Sequence, residues 1–299
     1  MKRVAVLVLA FLLLGASLAS AEAPCSINTV RGTYALELKG QGFWGDLLLP
    51  PYPPPVPPIP PVLPLLLGKA LPIYFAGTFT ISQDGSAVGS YWGLFGMVPV
   101  GAVDPEPWSA TVTVHPDCTG ELTYPNAFGG INVEKLVVLD NGREIRTVSI
   151  ADTPMPWQTT AIRIGRPGGS VPMCGPGTAR GRYVMRCDGI EGAPPPAYNG
   201  VSSMFVFEVA ADGTMTGRQF GRGHPLEGYE TGGVVSLKPD CTLEITQWTE
   251  ALPGATILAK GVFYDNGREM FGGPVTVSFG GTPVPAFFGF GCHATRLTR

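Results

Sequence analysis

Histidine is almost missing from these 299 residues: the chain has three, at His115, His224 and His293. Charge is scarce as well, with Asp, Glu, Lys and Arg together at 14%. No GxSxG, HExxH, Walker A, CxxC or EF-hand string occurs, so the local signatures of hydrolases, zincins, P-loop NTPases, dithiol oxidoreductases and calcium sensors are absent. Basic residues are too few for a nucleic-acid partner. Taking away Lys2 and Arg3 leaves 18 of the 20, against 23 acidic residues, a net charge of −5 where nucleic-acid binding needs a positive footprint. Beyond the N-terminus no apolar run is long enough to cross a membrane as a helix. Hydrophobic residues at 44% can build cores, which excludes disorder. Gly at 41 and Pro at 31 leave room for few long helices.

The first residues read MKRVAVLVLAFLLLGASLASAEA. A basic start, an apolar stretch from Val4 to Leu14 and the small residues Ala19, Ser20 and Ala21 predict a signal peptide over 1–21. Pro24 before Cys25 does not suit a lipoprotein site. The mature chain is therefore expected to be secreted or periplasmic, with no membrane span after cleavage. Six cysteines in an exported chain predict disulfides.

The chain repeats itself. RGTYAL (31–36) answers to RGRYVM (180–185), and FTISQDGS (79–86) to FEVAADGT (207–214). VHPDCT (114–119) answers to LKPDCT (237–242), DNGRE recurs at 140–144 and 265–269, and AIRIGR (161–166) answers to ATRLTR (294–299). Five matches in one order define a duplication, 25–166 and 174–299, joined by PGGSVPM at 167–173. Asp-Asn-Gly and Asp-Gly between apolar runs mark tight hairpins, because such turns need positive φ. Alternation between them, as in Tyr34, Leu36 and Leu38 or Tyr183, Met185 and Cys187, predicts strands buried on one face. Glu37 and Arg186 fall on the outward face. Strands are predicted near 32–39, 75–82, 86–92, 109–115, 120–124, 133–139, 143–150 and 160–166, with counterparts from 181 to 299.

Eight antiparallel strands with one apolar face must close or stack. Every short turn follows an even-numbered strand, and the connections after odd-numbered strands are long. The fold class predicted is all-β: two tandem eight-stranded antiparallel up-and-down β-barrels, with short turns at one end of each and long loops at the other. Six cysteines allow 15 pairings. Symmetry pairs Cys25 with Cys118 and Cys174 with Cys241 at the short-turn end. Cys187 and Cys292, on the first and last strands, meet only if the second barrel closes, and are expected at its long-loop end.

The unit C…RGTYAL…DGS…VHPDCTGEL…LVVLDNGREI resembles a group of exported bacterial proteins of unassigned function, over nearly the whole mature chain. At the level of fold it is similar to allene oxide cyclase-like and dirigent-like barrels, with lipocalins a further analogy. The resemblance implies barrels and brings no catalytic residues with it.

Candidate chemistry is thin. His115 reads as a solvated turn residue. His224 and His293, with Asp188, Glu191, Glu227 and Glu230, are expected at the long-loop end of the second repeat. No metal site, cofactor or catalytic residue is assigned. The most unusual stretch is LLLPPYPPPVPPIPPVLPLLLG (47–68), where proline density favours polyproline II and the interspersed aliphatics need cover. Aromatics are expected to gather in the long loops: Trp44, Tyr52, Trp92, Trp108 and Trp157 in the first repeat; Tyr198, Phe220, Phe287 and Phe288 in the second. Of these, Trp44, Tyr52, Trp92, Trp108, Trp157 and Tyr198 are the candidate binding residues. The function expected is binding, of an apolar small molecule or a protein or cell-surface partner. The alternative is a cyclase- or isomerase-type barrel enzyme, which should place a carboxylate, Tyr or Arg among the inward residues. The inward positions read as mostly Leu, Val, Phe and Met.

Overall fold

The computed structural model describes residues 24–43, 70–95, 98–100, 105–125, 130–150, 157–165, 174–192, 198–221, 225–284 and 288–298. The predicted signal peptide, segment 47–68 and linker 167–173 lie outside them. Two short helices, α1 (Ile27–Val30) and α2 (Pro176–Ala179), stand before the two sheets. The first sheet runs β1 (Gly32–Phe43), β2 (Ala70–Ile81), β3 (Ser86–Phe95), β4 (Val98–Val100), β5 (Glu106–Val114), β6 (Thr119–Pro125), β7 (Ile131–Leu139), β8 (Glu144–Ser149) and β9 (Trp157–Gly165). The second runs β10 (Gly181–Gly192), β11 (Tyr198–Val209), β12 (Thr214–Gly221), β13 (Tyr229–Leu237), β14 (Thr242–Thr249), β15 (Ala255–Tyr264), β16 (Glu269–Phe279), β17 (Thr282–Val284) and β18 (Phe288–Thr298).

Each sheet closes into an eight-stranded antiparallel barrel, as the alternation predicts. In the first, β9 pairs with β1 and β2 with β3; in the second, β18 pairs with β10 and β15 with β16. The short β4 and β17, not predicted, pair antiparallel with the ends of β3 and β16, beyond the stretches that β5 and β18 pair with. Closure removes the sheet edges that would otherwise template pairing with other chains.

The Asp-Asn-Gly strings do more than turn. Gly142 takes φ +77° and Gly267 φ +74°, and a side chain at Gly142 would strike the Thr29 carbonyl. Beneath the first barrel the buried Tyr34 hydroxyl donates to the carbonyls of Val30 and Gly142, both 2.8 Å away. Arg163, on β9, donates to the same hydroxyl from Nε (3.2 Å) and Nη2 (2.8 Å), and from Nη2 to the Thr29 carbonyl. Tyr183, Gly267, Arg296 and Thr178 repeat the arrangement under the second barrel. One hydroxyl thus ties helix, first strand, turn and last strand at the seam, which is why RGTY, DNGRE and AIRIGR recur together.

The three disulfides are those predicted: Cys25–Cys118, Cys174–Cys241 and Cys187–Cys292. Cys118 and Cys241 sit at positive φ (66° and 68°), the position that Gly85 and Gly213 hold in the sister turns. Cys187 and Cys292 stand directly opposite each other across the seam. The expected place at the loop end is corrected: β10 runs on to Gly192 and β18 begins at Phe288, so this bridge lies in mid-strand and points into the barrel.

Among the described residues the interiors are packed. Tyr34 stacks on Phe79 (5.3 Å) and Tyr183 on Phe207 (5.4 Å). Leu122, Leu136, Val138 and Ile145 fill the first barrel; Met185, Phe205, Leu243, Ile245 and Phe263 fill the second. Each such burial stabilises by roughly 1.5–3 kcal/mol. Among the described residues no helix is long and apolar enough to cross a membrane.

Candidate functional site

Polar chemistry inside the first barrel centres on one carboxylate. In β7, INVEKLVVL, Leu136 and Val138 point inward, so period two also turns Glu134 and Asn132 inward. Glu134 is 1% exposed. Its Oε1 accepts from the Tyr124 hydroxyl (2.5 Å) and Trp157 Nε1 (2.7 Å); its Oε2 accepts from the hydroxyls of Thr147 and, at 3.3 Å, Thr159. Burial first, then the charge of Glu134 and the hydrogen bond to it, raises the Tyr124 hydroxyl far above the ordinary tyrosine range. Four donors occupy both oxygens, as a buried charge requires. Such a carboxylate braces the upper barrel and has no lone pair turned toward a substrate.

The interior is mostly apolar as expected, but Tyr34 and Tyr183 are not its only polar tips. Parity along INVEKLVVL carried the signal. At the equivalent places the second barrel has Ala259 for Glu134 and Gln247 for Tyr124, with Cys187 and Cys292 standing for Leu38 and Thr159. Beside that disulfide lies a void of about 20 Å³ lined by Met185, Phe205, Gln247 and Ile257, room for a single water.

A second cluster sits between the barrels. Ala35, Tyr74, Ala76, Trp92 and Ile164, on the outer wall of the first, pack against Val262, Tyr264 and Phe271 on the outer wall of the second. Tyr74 lies so close to Gly291 that a Cβ there would stand 2.1 Å from the ring. Its hydroxyl reaches the Gly272 backbone but falls short of a well-formed hydrogen bond. Glu37 faces outward as predicted, yet is buried at this joint and ion-paired with Lys39 at 2.8 Å. Burial, and next the nearby Glu37 charge, pushes the Tyr74 hydroxyl well up. At the joint's edge Arg143 and Asp265, from the two DNGRE strings, stand 3.6 Å apart.

His293 belongs to this edge rather than to an acidic loop site. The Tyr264 hydroxyl donates to Glu269 Oε2 (2.6 Å) and lies 2.8 Å from His293 Nε2, which is itself 3.2 Å from Glu269 Oε2. Burial and then the bond to Glu269 raise the Tyr264 hydroxyl far above its usual range. His115 is exposed in its turn, and His224 and the side chain of Glu191 lie outside the described residues. No cluster of three or more His, Cys, Asp or Glu able to hold a metal occurs among the described residues. On the outer wall of the second barrel Val184, Arg186, Ser202, Met204, Phe220 and His293 line a shallow open groove.

The candidate binding aromatics scatter. Trp92 is in the joint; Trp157 and the half-buried Trp108 are inside the first barrel, Trp108 against Phe79 and Tyr124. Trp44, Tyr52 and the side chain of Tyr198 lie outside the described residues. Glu134, Glu37 and Tyr74 were missed, the last two because no single repeat shows which outward face the other will cover.

No family model and no curated protein matches the chain. Among solved structures it is similar to the isotype 1 transferrin-binding protein B of serogroup B Neisseria meningitidis, at 8% identity over 91% of this chain and 77% of that one, TM-score 0.27. A double mutant of transferrin-binding protein B from Haemophilus parasuis matches at 8% identity over 89% and 75%, TM-score 0.29. A protein of unknown function from the DUF3598 family of Nostoc punctiforme matches at 9% identity over 90% and 97%, TM-score 0.27. Scores this low carry no argument, and the double barrel rests on its own strand pairing.

Proposed function

We propose that this is an exported binding protein, a rigid double barrel whose long loops dock a protein or cell-surface partner. The observation that carries the reading is the packed interior. Aromatic rings, a saturated carboxylate and a disulfide occupy the space a small apolar ligand would need, so recognition falls to loops and outer walls. Three disulfides suit an oxidising compartment outside the cytoplasm. Trp44, Tyr52 and Tyr198, with the proline-rich residues 50–64, are the docking residues of this reading. The enzyme alternative asked for an inward acid, and Glu134 is one, but all its acceptor capacity is engaged.

The test deletes 50–64 and, separately, places a photo-crosslinking residue at Tyr52. In the full chain Tyr52 should form protein adducts in the cell envelope, and the deletion should leave the melting transition in place while abolishing the adducts of a second crosslinker at Trp44, outside the deleted stretch. Unfolding of the first barrel on deletion would make the segment a structural plug. A stoichiometric small molecule carried by the natively purified chain in mass spectrometry would refute loop docking.

A further inference from the structure

The joint between the barrels does not use matching faces. The first barrel contributes its first, second, third and eighth strands (β1, β2, β3 and β9); the second contributes its sixth, seventh and eighth (β15, β16 and β18). That is a heterologous contact, and such a contact leaves one half of itself unused at each end. The second barrel still exposes its copy of the first barrel's docking wall. The first still exposes its copy of the wall that docks.

Aligned through the shared strings, Ala35, Glu37, Tyr74, Ala76 and Trp92 correspond to Val184, Arg186, Ser202, Met204 and Phe220. Those five counterparts line the open groove on the second barrel. On the docking side Val262, Tyr264 and Phe271 correspond to Val137, Leu139 and Arg146 on β7 and β8. Both unused walls keep large apolar residues in solvent among polar ones: Met204 is 44% exposed beside Arg186 and Ser202, and Val137 is 45% and Leu139 36% exposed beside Arg146, with exposed Val148 and Ile150 alongside. Solvent gives no reason to keep such residues there.

Size and charge follow. Where Tyr74 fills the space over Gly291, the counterparts are the smaller Ser202 and the larger Gln158, an exchange that preserves volume across the contact. The Arg143–Asp265 pair of the joint has Asp140 and Arg268 as its counterparts, both exposed, with Asp140 also 3.7 Å from Arg143 of its own turn. They carry opposite charge. Arg186, replacing Glu37, would meet the aliphatic Leu139 where Glu37 has Tyr264 nearby.

We infer that a second copy of this chain docks its β7–β8 wall into the groove on the second barrel, repeating the intramolecular joint head to tail, with Arg268 of one copy facing Asp140 of the next. The occupant is this chain itself, and the inference stands apart from the loop-docking reading. Repetition of one heterologous contact builds a ring if the rotation closes and a filament if it does not.

Two variants test it: Val137→Asp spoils the docking wall and Met204→Asp the groove, each at an exposed position that leaves the fold alone. In sedimentation velocity the wild-type exported chain should show a mass that climbs with concentration, while each variant alone stays monomeric. Mixed one to one, each variant still offers one intact wall, and the mass should rise two-fold and stop at a dimer. A wild-type chain that stays monomeric up to about 1 mM, the weak end of specific affinities, overturns the inference. So does association that survives in either variant alone, which would mean like-to-like contact, or a mixture that fails to pair.

Discussion

Replacing Tyr34 with Phe isolates the lock beneath the first barrel. The ring stays, and with it the stack on Phe79 and the Arg163 guanidinium 5.4 Å above it. Only the hydroxyl goes. It donates to the carbonyls of Val30 and Gly142, and it accepts from Arg163. A neutral hydrogen bond contributes about 1 kcal/mol and one to a charged group about 1.5–3, so Tyr34→Phe should cost about 2–4 kcal/mol. At roughly 2–4 °C per kcal/mol for a chain of this size, the first barrel should melt about 5–15 °C lower. Urea unfolding followed by tryptophan fluorescence reports it, since Trp108 and Trp157 lie inside that barrel. Tyr183→Phe is the matched measurement below, where the hydroxyl donates to Gly267 and accepts from Arg296. A Tyr34→Phe cost within about 0.5 kcal/mol, the range of ordinary surface substitutions, would refute the lock and reduce DNGRE to a plain turn.

Alkaline stability should fall for a stated reason. Burial raises the hydroxyls of Tyr34, Tyr74, Tyr124, Tyr183 and Tyr264 in the folded state. A folded pKa above the unfolded one gives stability that is whole below about pH 10 and is lost as pH climbs above it, at up to roughly 1.4 kcal/mol per pH unit per tyrosine; a flat urea stability between pH 9 and 11.5 would contradict this. Gly291→Val drives a side chain into Tyr74 and should open the joint at a cost of about 1–3 kcal/mol, seen as acrylamide gaining access to Trp92; unchanged quenching would show that the joint adapts. Glu134→Gln turns an amide nitrogen toward hydroxyl donors and should cost about 2–4 kcal/mol, and a neutral result in urea would mean the network does not brace the upper barrel.

Much of this architecture could be read before the structure. Turn chemistry is local, so DNG, DGS and DCT placed the hairpins. In the DGS and DCT turns the Asp side chain accepts from the Ser or Thr two residues on, as Asp117 does from Thr119. Parity is local too, and it set Tyr34, Leu36 and Val112 inward. The repeat carried the disulfides because symmetry cuts the pairings before geometry is consulted. What escaped was what two distant elements decide between them. Glu37 reads as a solvated outward acid until the second barrel covers it. Trp92 reads as a loop aromatic until β3 extends to Phe95 and the second barrel covers it. Glu134 was legible by parity alone, and the expectation of an apolar interior overrode the count.

The differences between the repeats sort by place. Strings kept in both copies lie at the short-turn end, where each barrel must close its own seam and Tyr, Arg and the Asp-Asn-Gly carbonyl have no substitute. At mid-barrel the copies part. The first spans its upper interior with Glu134 and its four donors, while the second puts the Cys187–Cys292 bridge across the same seam. A buried ion gains little net stability from its partners but suffers badly if one is lost, whereas a bridge closing a loop of 105 residues adds roughly 4–5 kcal/mol by restricting the unfolded chain. The two barrels therefore meet one structural demand by different chemistry, and the polar device stands under the end where the proline-rich segment enters the first repeat. Outer walls diverge differently again. Covered positions such as Ala35 and Ala76 are small because another barrel lies on them; their counterparts, the half-buried Val184 and the exposed Met204, are larger and still apolar. Relief from contact has let Arg186, Ser202 and Thr295 collect on that wall of the second barrel. The Met204 and Phe220 that remain among them are the feature that water alone does not explain.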